Sequence, residues 1–380
     1  MLHTAPSNTD LHSALSDAPD RVRRHHQALG DLFPTVGEGG RYQLTDNDNW
    51  LAGFWTGLLW LAYAATGDED LRAHAQALLP SFEKRLDGRV HITHDLGFLF
   101  TLSARAQWQI AREEAARQLA LRAARELLAR YRPQGRYVQA WGEIGDPEQG
   151  GRMIIDTMMN LPLLFWAADQ EGDPQYRRAA LDHAETSMRY LLRPDGATYH
   201  TYYLDQETGA PIGPSTHQGY ADDSLWTRGQ AWAIYGFAVA AEWSQKLSFA
   251  DASRLAARRF MAELPPDGVP WWDLRLPDDA PHYLDSSAGA IAAGGMLRLA
   301  RLEGGQESEF YGSGVNLLDG LVARCLETQA EGLGLLRSGT YHACKGLGVE
   351  SYFICGDYFF LEALLALEGQ APDFWGVSNG

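Results

Sequence analysis

Residues 161–190 read LPLLFWAADQEGDPQYRRAALDHAETSMRY and change character at the middle. Up to Ala168 the stretch is apolar. Beyond Gly172 it carries Arg177, Arg178, Asp182, Glu185 and Arg189 between spaced apolar positions. Both halves have helical periodicity. Gly172 suits a helix C-cap and Asp173 the N-cap of the next helix. The stretch therefore reads as a helical hairpin, with one helix buried all round and one polar on its outer face.

The same junction recurs in TGDEDLRAHA (66–75) and EGGQESEFYG (303–312). Followed along the chain, it predicts twelve helices in two alternating sets. The apolar set spans about 48–66, 95–111, 154–171, 224–243, 286–303 and 350–367. The charged set spans about 12–30, 68–87, 113–131, 174–193, 248–264 and 308–326. The hairpins repeat at steps of 47 to 70 residues, too long and uneven for a solenoid of short repeats. Six buried helices ringed by six half-buried ones make an all-α (α/α)6 barrel. An open superhelical array is the competing layout. One domain is expected over 1–380, with 1–10 flexible.

The segments before the apolar helices hold the unusual residues. HITHDLGF (91–98), RYVQAWGEIGDPEQGGRMIID (136–156) and ATYHTYYLDQETGAPIGPSTHQGYADDS (197–224) are rich in His, Asp and aromatic rings. TYHTYYLD alternates like a strand and ETGAPIG like a turn, so a small β-hairpin is expected there. In a closed barrel the N-terminal ends of the inner helices share one mouth, and these loops build one concave site.

Composition limits the partners. The 380 residues are 45% hydrophobic and carry a net charge of -17. Nucleic acid is excluded as a partner, since phosphate binding needs a basic face. No apolar run is long enough to span a membrane. Cys325, Cys344 and Cys355 form no disulfide framework, and no apolar signal core opens the chain. A cytoplasmic, reduced protein is the expectation, as monomer or homodimer.

Asp95 and Asp156 each stand at the start of an apolar helix. Either can serve as a cap for free backbone N–H groups. Asp156, however, lies among Met153, Ile154, Ile155, Met158 and Met159, where an unpaired carboxyl has a raised pKa. Two carboxyls converging in one mouth can split into one protonated and one ionised group, as general acid/base chemistry requires. His91, His94 and Asp95 invite a metal, but no HExxH or Cys-rich pattern supports one, so neither metal nor cofactor is expected. Trp50, Trp141, Trp226 and Trp232 lie in or beside the loops. Such rings stack on sugar faces or else pack the barrel, and for Trp141, in a Gly-rich loop, the site is preferred. Arg228 can bind a carboxylate or pair with Asp222 or Asp223.

With these residues on the page, HDLGF (94–98), MIIDTMMNLP (153–162), HQGYADDSLWTRGQAWAIYGF (217–237) and ESYFICGDYFFLEAL (350–364) resemble glycoside hydrolase family 88, the unsaturated glucuronyl hydrolases. The resemblance covers roughly 40–370. It implies an (α/α)6 barrel acting on lyase-generated oligosaccharides that end in a C4=C5-unsaturated uronate, cleaved by hydration of the vinyl ether. It implies Asp156 as general acid/base and Asp95 as the second carboxylate. It implies substrate-binding roles for His94, Trp141, His200, His217, Gln218, Trp226, Arg228 and Trp232.

Other readings remain at this point. One is an unsaturated rhamnogalacturonyl hydrolase of the related family. Another is an (α/α)6 sugar epimerase using His200, His217 and His342. A third is a non-catalytic carbohydrate-binding protein. Selectivity beyond the terminal ring is expected from SGTYHACKGLGVESY (338–352), where Lys345 meets a sulfate or second carboxylate, or is an ordinary exposed lysine.

Overall fold

The computed structural model describes residues 8–38 and 40–377. The quoted stretch folds as read. The helix Leu161–Glu171 ends at Gly172, whose backbone is left-handed (φ 69°) and whose N–H caps Ala168. Asp173 then accepts from the Gln175 N–H and opens the helix Pro174–Tyr190. That outer helix buries Tyr176, Ala179, Ala180, His183, Ala184 and Ser187, the spacing of one face. Inner helices differ: in Thr227–Ser244 every residue from Thr227 to Ala241 is buried.

The inner ring runs through Ala52–Thr66, the 96–111 segment, Leu161–Glu171, Thr227–Ser244, Ser286–Leu302 and Ile354–Leu367. Each packs on the next, and Ile354–Leu367 packs back on Ala52–Thr66, so the ring closes. The outer helices Asn8–Leu29, Glu114–Ala129, Pro174–Tyr190, Leu247–Glu263 and Glu309–Cys325, with the 69–87 segment, sit against it. The closed barrel holds and the open array does not.

Departures from the expected spans have local causes. The 68–87 helix is two, Glu69–Ala77 and Leu79–Asp87, because Pro80 in the first turn of the second has no N–H to continue the ladder. The 95–111 helix runs as Leu96–Phe100, a wider turn Thr101–Arg105, and Ala106–Ala111. The third inner helix starts at Leu161 rather than near 154. Arg152–Ile154 is a strand instead, followed by the tight turn Ile155–Met159. The expected hairpin is Thr201–Leu204 with Pro211–Ser215, and Arg152–Ile154 adds a third antiparallel strand. Two short pairs were not anticipated, Phe33–Glu38 with Arg41–Thr45 and Tyr131–Arg132 with Tyr137–Val138. Of the 1–10 stretch expected to be flexible, 1–7 lies outside the described residues, while the first outer helix begins at Asn8.

The barrel interior is filled. Trp232 packs against Phe98, tilted at 5.2 Å between ring centres, and against Phe359, edge to face at 5.4 Å. Below them the C-terminal segment turns into the ring. Trp375 stacks on Phe359 at 5.9 Å, donates to Glu362 at 2.8 Å, and its carbonyl accepts from Trp243 at 2.8 Å. Phe374 and Trp375 are fully buried. No helix among the described residues is long and apolar enough to cross a membrane.

Candidate active site

The opposite end of the ring, at the N-termini of the inner helices, opens into a cavity of about 280 Å³. Its walls are Trp50, His94, Asp95, Trp141, Ile154, Asp156, His200, His217, Gln218, Tyr341, His342, Lys345 and Leu347. Of the ten residues expected at a site, seven meet here.

The strand Arg152–Ile154 delivers Asp156. Ile154 pairs with Thr201, and Ile155 N–H bonds the His200 carbonyl at 3.0 Å, so Asp156 and His200 leave neighbouring strands side by side. Neither Asp95 nor Asp156 serves as a cap. Asp95 precedes Leu96–Phe100 with no side-chain cap bond and instead accepts from Thr93 Oγ1 at 3.0 Å. Asp156 is buried, and its Oδ2 has no hydrogen-bond partner. Burial pushes its pKa up to about 7. The Arg228 charge opposes that shift and the Asp95 carboxylate adds to it.

Each carboxyl faces an imidazole whose tautomer the fold dictates. His200 Nδ1 accepts from the main-chain N–H of His217 at 3.0 Å and of Gln218 at 3.2 Å. The ring proton therefore sits on Nε2, 3.8 Å from Asp156 Oδ2. His94 Nδ1 takes bonds from Thr157 Oγ1 at 3.0 Å and Asn160 Nδ2 at 3.2 Å. Asn160 is oriented by its own Oδ1, which accepts from Phe98 N–H at 2.7 Å. His94 Nε2 thus turns to Asp95 Oδ1 at 3.5 Å. Burial lowers the pKa of both histidines, so both are neutral donors.

A buried arginine ties two of these loops together. Arg130 donates to the carbonyls of Ile92, Gln139 and Gly142, tying the His94 loop to the Trp141 loop. Trp141 stands half-buried with its ring 5.4 Å from His217 and the Arg152 guanidinium 4.6 Å over its face. Gly97 lets the second and third inner helices touch: a Cβ there would lie 2.3 Å from Asn160 Cα.

Three expected site residues stand behind the walls. Arg228 is fully buried. It binds Asp285 at 2.8 Å and the carbonyls of Thr340 and Tyr341 at 2.8 and 2.7 Å. Its ion pair is therefore with Asp285, not Asp222 or Asp223. Trp226 backs His200, ring centres 4.3 Å apart. Trp232 sits in the barrel core between Phe98 and Phe359. Conversely, Trp50, Ile154, Tyr341, His342, Lys345 and Leu347 line the cavity without having been among the ten. Tyr341 to Leu347 precede the sixth inner helix, so the rule that mouth loops precede inner helices pointed at them.

Comparisons with known proteins agree with the closed barrel. The family model described as Glycosyl Hydrolase Family 88 matches residues 30–343. An unsaturated glucuronyl hydrolase of Bacillus sp. (strain GL1) is 45% identical over 371 residues, covering 95% of this chain and 98% of that one. An unsaturated chondroitin disaccharide hydrolase of Streptococcus pyogenes serotype M1 is 37% identical over 375 residues, covering 97% and 94%. The crystal structure of unsaturated glucuronyl hydrolase from Bacillus sp. GL1, described as responsible for the degradation of glycosaminoglycan, superposes with a TM-score of 0.94 at 44% identity. It covers 97% of this chain and 100% of that one.

Proposed function

The chain belongs to glycoside hydrolase family 88, and from that premise we propose that it releases the terminal C4=C5-unsaturated uronate from lyase-generated, glycosaminoglycan-type oligosaccharides. The observation that carries the reading is Asp156. It is a buried carboxyl at the cavity wall whose Oδ2 has no partner and whose pKa of about 7 keeps it substantially protonated near neutrality.

The steps follow from that protonation state. The Asp156 carboxylic acid delivers its proton to C4 of the vinyl ether. Positive charge develops at C5 and the ring oxygen, and the Asp95 carboxyl group on the same cavity wall stabilises it. A water attacks C5 and gives its proton to the Asp156 carboxylate, which restores the acid. The product hemiketal opens, and the glycosidic link breaks without attack at the anomeric carbon. This differs from the paired-carboxylate schemes at that carbon. His200 Nε2–H, 3.8 Å from Asp156 Oδ2, steadies the carboxylate form in mid-cycle. Trp50 and Trp141 wall the sugar ring. Gln218 spends its Nε2 on the Tyr341 carbonyl, so it holds the 340–342 loop. Arg228 acts the same way from behind, as a positioning residue. The reading extends to a single catalytic domain in a reduced, cytoplasmic setting, supported by three free thiols.

The test uses the wild-type protein and a panel of unsaturated disaccharides made by lyase digestion. Absorbance of the conjugated double bond is followed in the ultraviolet, with release of the second sugar. Loss of absorbance with cleavage supports the reading and ranks the substrates. No loss on any member would sink it, and isomerised sugar without cleavage would point to an epimerase.

A further inference from the structure

Among the side chains that line the cavity, two carry a buried polar atom with no hydrogen-bond partner. One is Asp156, through Oδ2. The other is His342, through both Nδ1 and Nε2. His342 is only 5% exposed. Its main chain is fully used: N–H donates to the Leu347 carbonyl at 3.0 Å, and its carbonyl accepts from Leu347 and Lys345 N–H at 3.1 and 3.2 Å. The two residues before it are held from behind. Arg228 donates to the carbonyls of Thr340 and Tyr341, Gln218 to that of Tyr341, and the Thr340 N–H donates to Asp285 at 3.2 Å.

This framework places an imidazole on the cavity wall and satisfies everything except the imidazole. Burying both ring nitrogens unpartnered opposes folding. The two other deeply buried histidines of the cavity spend Nδ1 on protein donors, so His342 stands apart from them. Its nearest ring neighbour, His217, lies 5.4 Å away edge to face and forms no bond with it. Burial, Lys345, His217 and Arg228 all disfavour protonation, and its pKa is pushed down to about 4. At neutral pH the ring offers one N–H donor and one acceptor nitrogen.

We propose that His342 is a substrate-binding residue that meets adjacent hydroxyls of the saccharide, one ring nitrogen donating to a hydroxyl oxygen and the other accepting an O–H. The proposal rests on the reading of the cavity as a saccharide cleft. A diol offers both halves of this match. A carboxylate or sulfate oxygen offers only acceptors and leaves one nitrogen unpaired. The turn that carries His342 also carries Lys345 and Leu347, which are exposed at the rim. The saccharide therefore passes His342 on its way in.

The experiment compares wild type, His342→Ala and His342→Gln on an unsaturated chondroitin disaccharide, with thermal melting of each. Alanine should lower kcat/KM about 10–100-fold, mostly through KM, while the melting temperature holds or rises. Glutamine, with one donor and one acceptor, should recover most of the loss. Should alanine fail to fold, His342→Leu, which fills the volume, carries the same comparison. Unchanged kcat/KM in the alanine or leucine variant overturns the proposal. So does a loss that glutamine cannot rescue and that tracks a lower melting temperature, which marks a packing role. A wild type that turns over no unsaturated disaccharide overturns the cleft reading and this proposal with it. An active wild type with an indifferent His342 overturns this proposal alone.

Discussion

His200 Nε2 lies 3.8 Å from Asp156 Oδ2 while its Nδ1 is held by two main-chain N–H groups. That separation exceeds an N–H···O hydrogen bond. A shorter one would favour the carboxylate and pull the Asp156 pKa down. At 3.8 Å the imidazole is close enough to receive the carboxylate after proton transfer and too far to prevent the acid from forming. Under the proposed mechanism, that distance lets Asp156 give up a proton and take it back.

Replacing Asp156 by Asn should cut turnover by about 10²–10⁴-fold, because the amide can neither deliver nor accept the proton. The fold should survive, since Oδ2 makes no bond to lose. Ultraviolet kinetics beside a circular dichroism melt decide it. Normal turnover in a folded variant would end the mechanism.

The pH profile follows from the direction of the Asp156 shift. Its carboxyl is raised from 3.8 to about 7, and the proposed mechanism uses the protonated form. kcat/KM should therefore fall as pH rises through about 7. Stability has the same sign. The folded state holds this proton more tightly than the unfolded chain, so the contribution is full below about pH 4 and lost as pH rises through about 7. At pH 8 Asp156→Asn escapes the cost of a buried charge. It should be more stable than wild type, by at most on the order of 4 kcal/mol, and so melt higher. Equal melting at pH 8 would contradict the buried-charge account.

Two tryptophans should separate wall from core. Trp141→Ala should raise KM about tenfold with little change in melting, because the ring stands at the cavity. Trp232→Ala should cost about 3–5 kcal/mol, because its ring fills the barrel between Phe98 and Phe359. Denaturant melts and Michaelis kinetics on both variants read the contrast. A reversed pattern would place the cleft one layer deeper.

Arg228→Met leaves Asp285 buried without its cation, at a cost of about 3–5 kcal/mol. It also frees the 340–342 loop, so KM should rise as well. Arg228→Lys should not restore either property, since a compact ammonium lacks the planar fork that reaches one carboxylate and two carbonyls. Full rescue by lysine would show that charge alone matters there.

The barrel was legible because its signal is local and repeated. Gly172 and Asp173 do what their positions suggest, and Gly67 and Asp68 repeat the signal at an earlier hairpin. The site was legible as a neighbourhood, since loops before inner helices converge in any closed ring. Depth was not legible. Trp141 and Trp232 both belong to segments that feed the mouth, yet one faces the cavity and the other sits in the second turn of a helix packed on every side. Partners were not legible either. Arg228 had Asp222 and Asp223 nearby in sequence, but its carboxylate is Asp285, on the next inner helix. The strand at Arg152–Ile154 escaped notice because its apolar run matches the helix that follows.

The C-terminal segment that seals the far end of the ring has a consequence for which molecules can be processed. With Phe374 and Trp375 buried beneath Phe359, the barrel is a blind alley rather than a tunnel. A polymer cannot thread through it, and an internal sugar cannot descend without both of its neighbours following. Under the proposed function, it is a chain terminus that reaches Asp156. For the proposed activity such a blind cleft suits trimming from one end, with the rest of the saccharide leaving through the mouth.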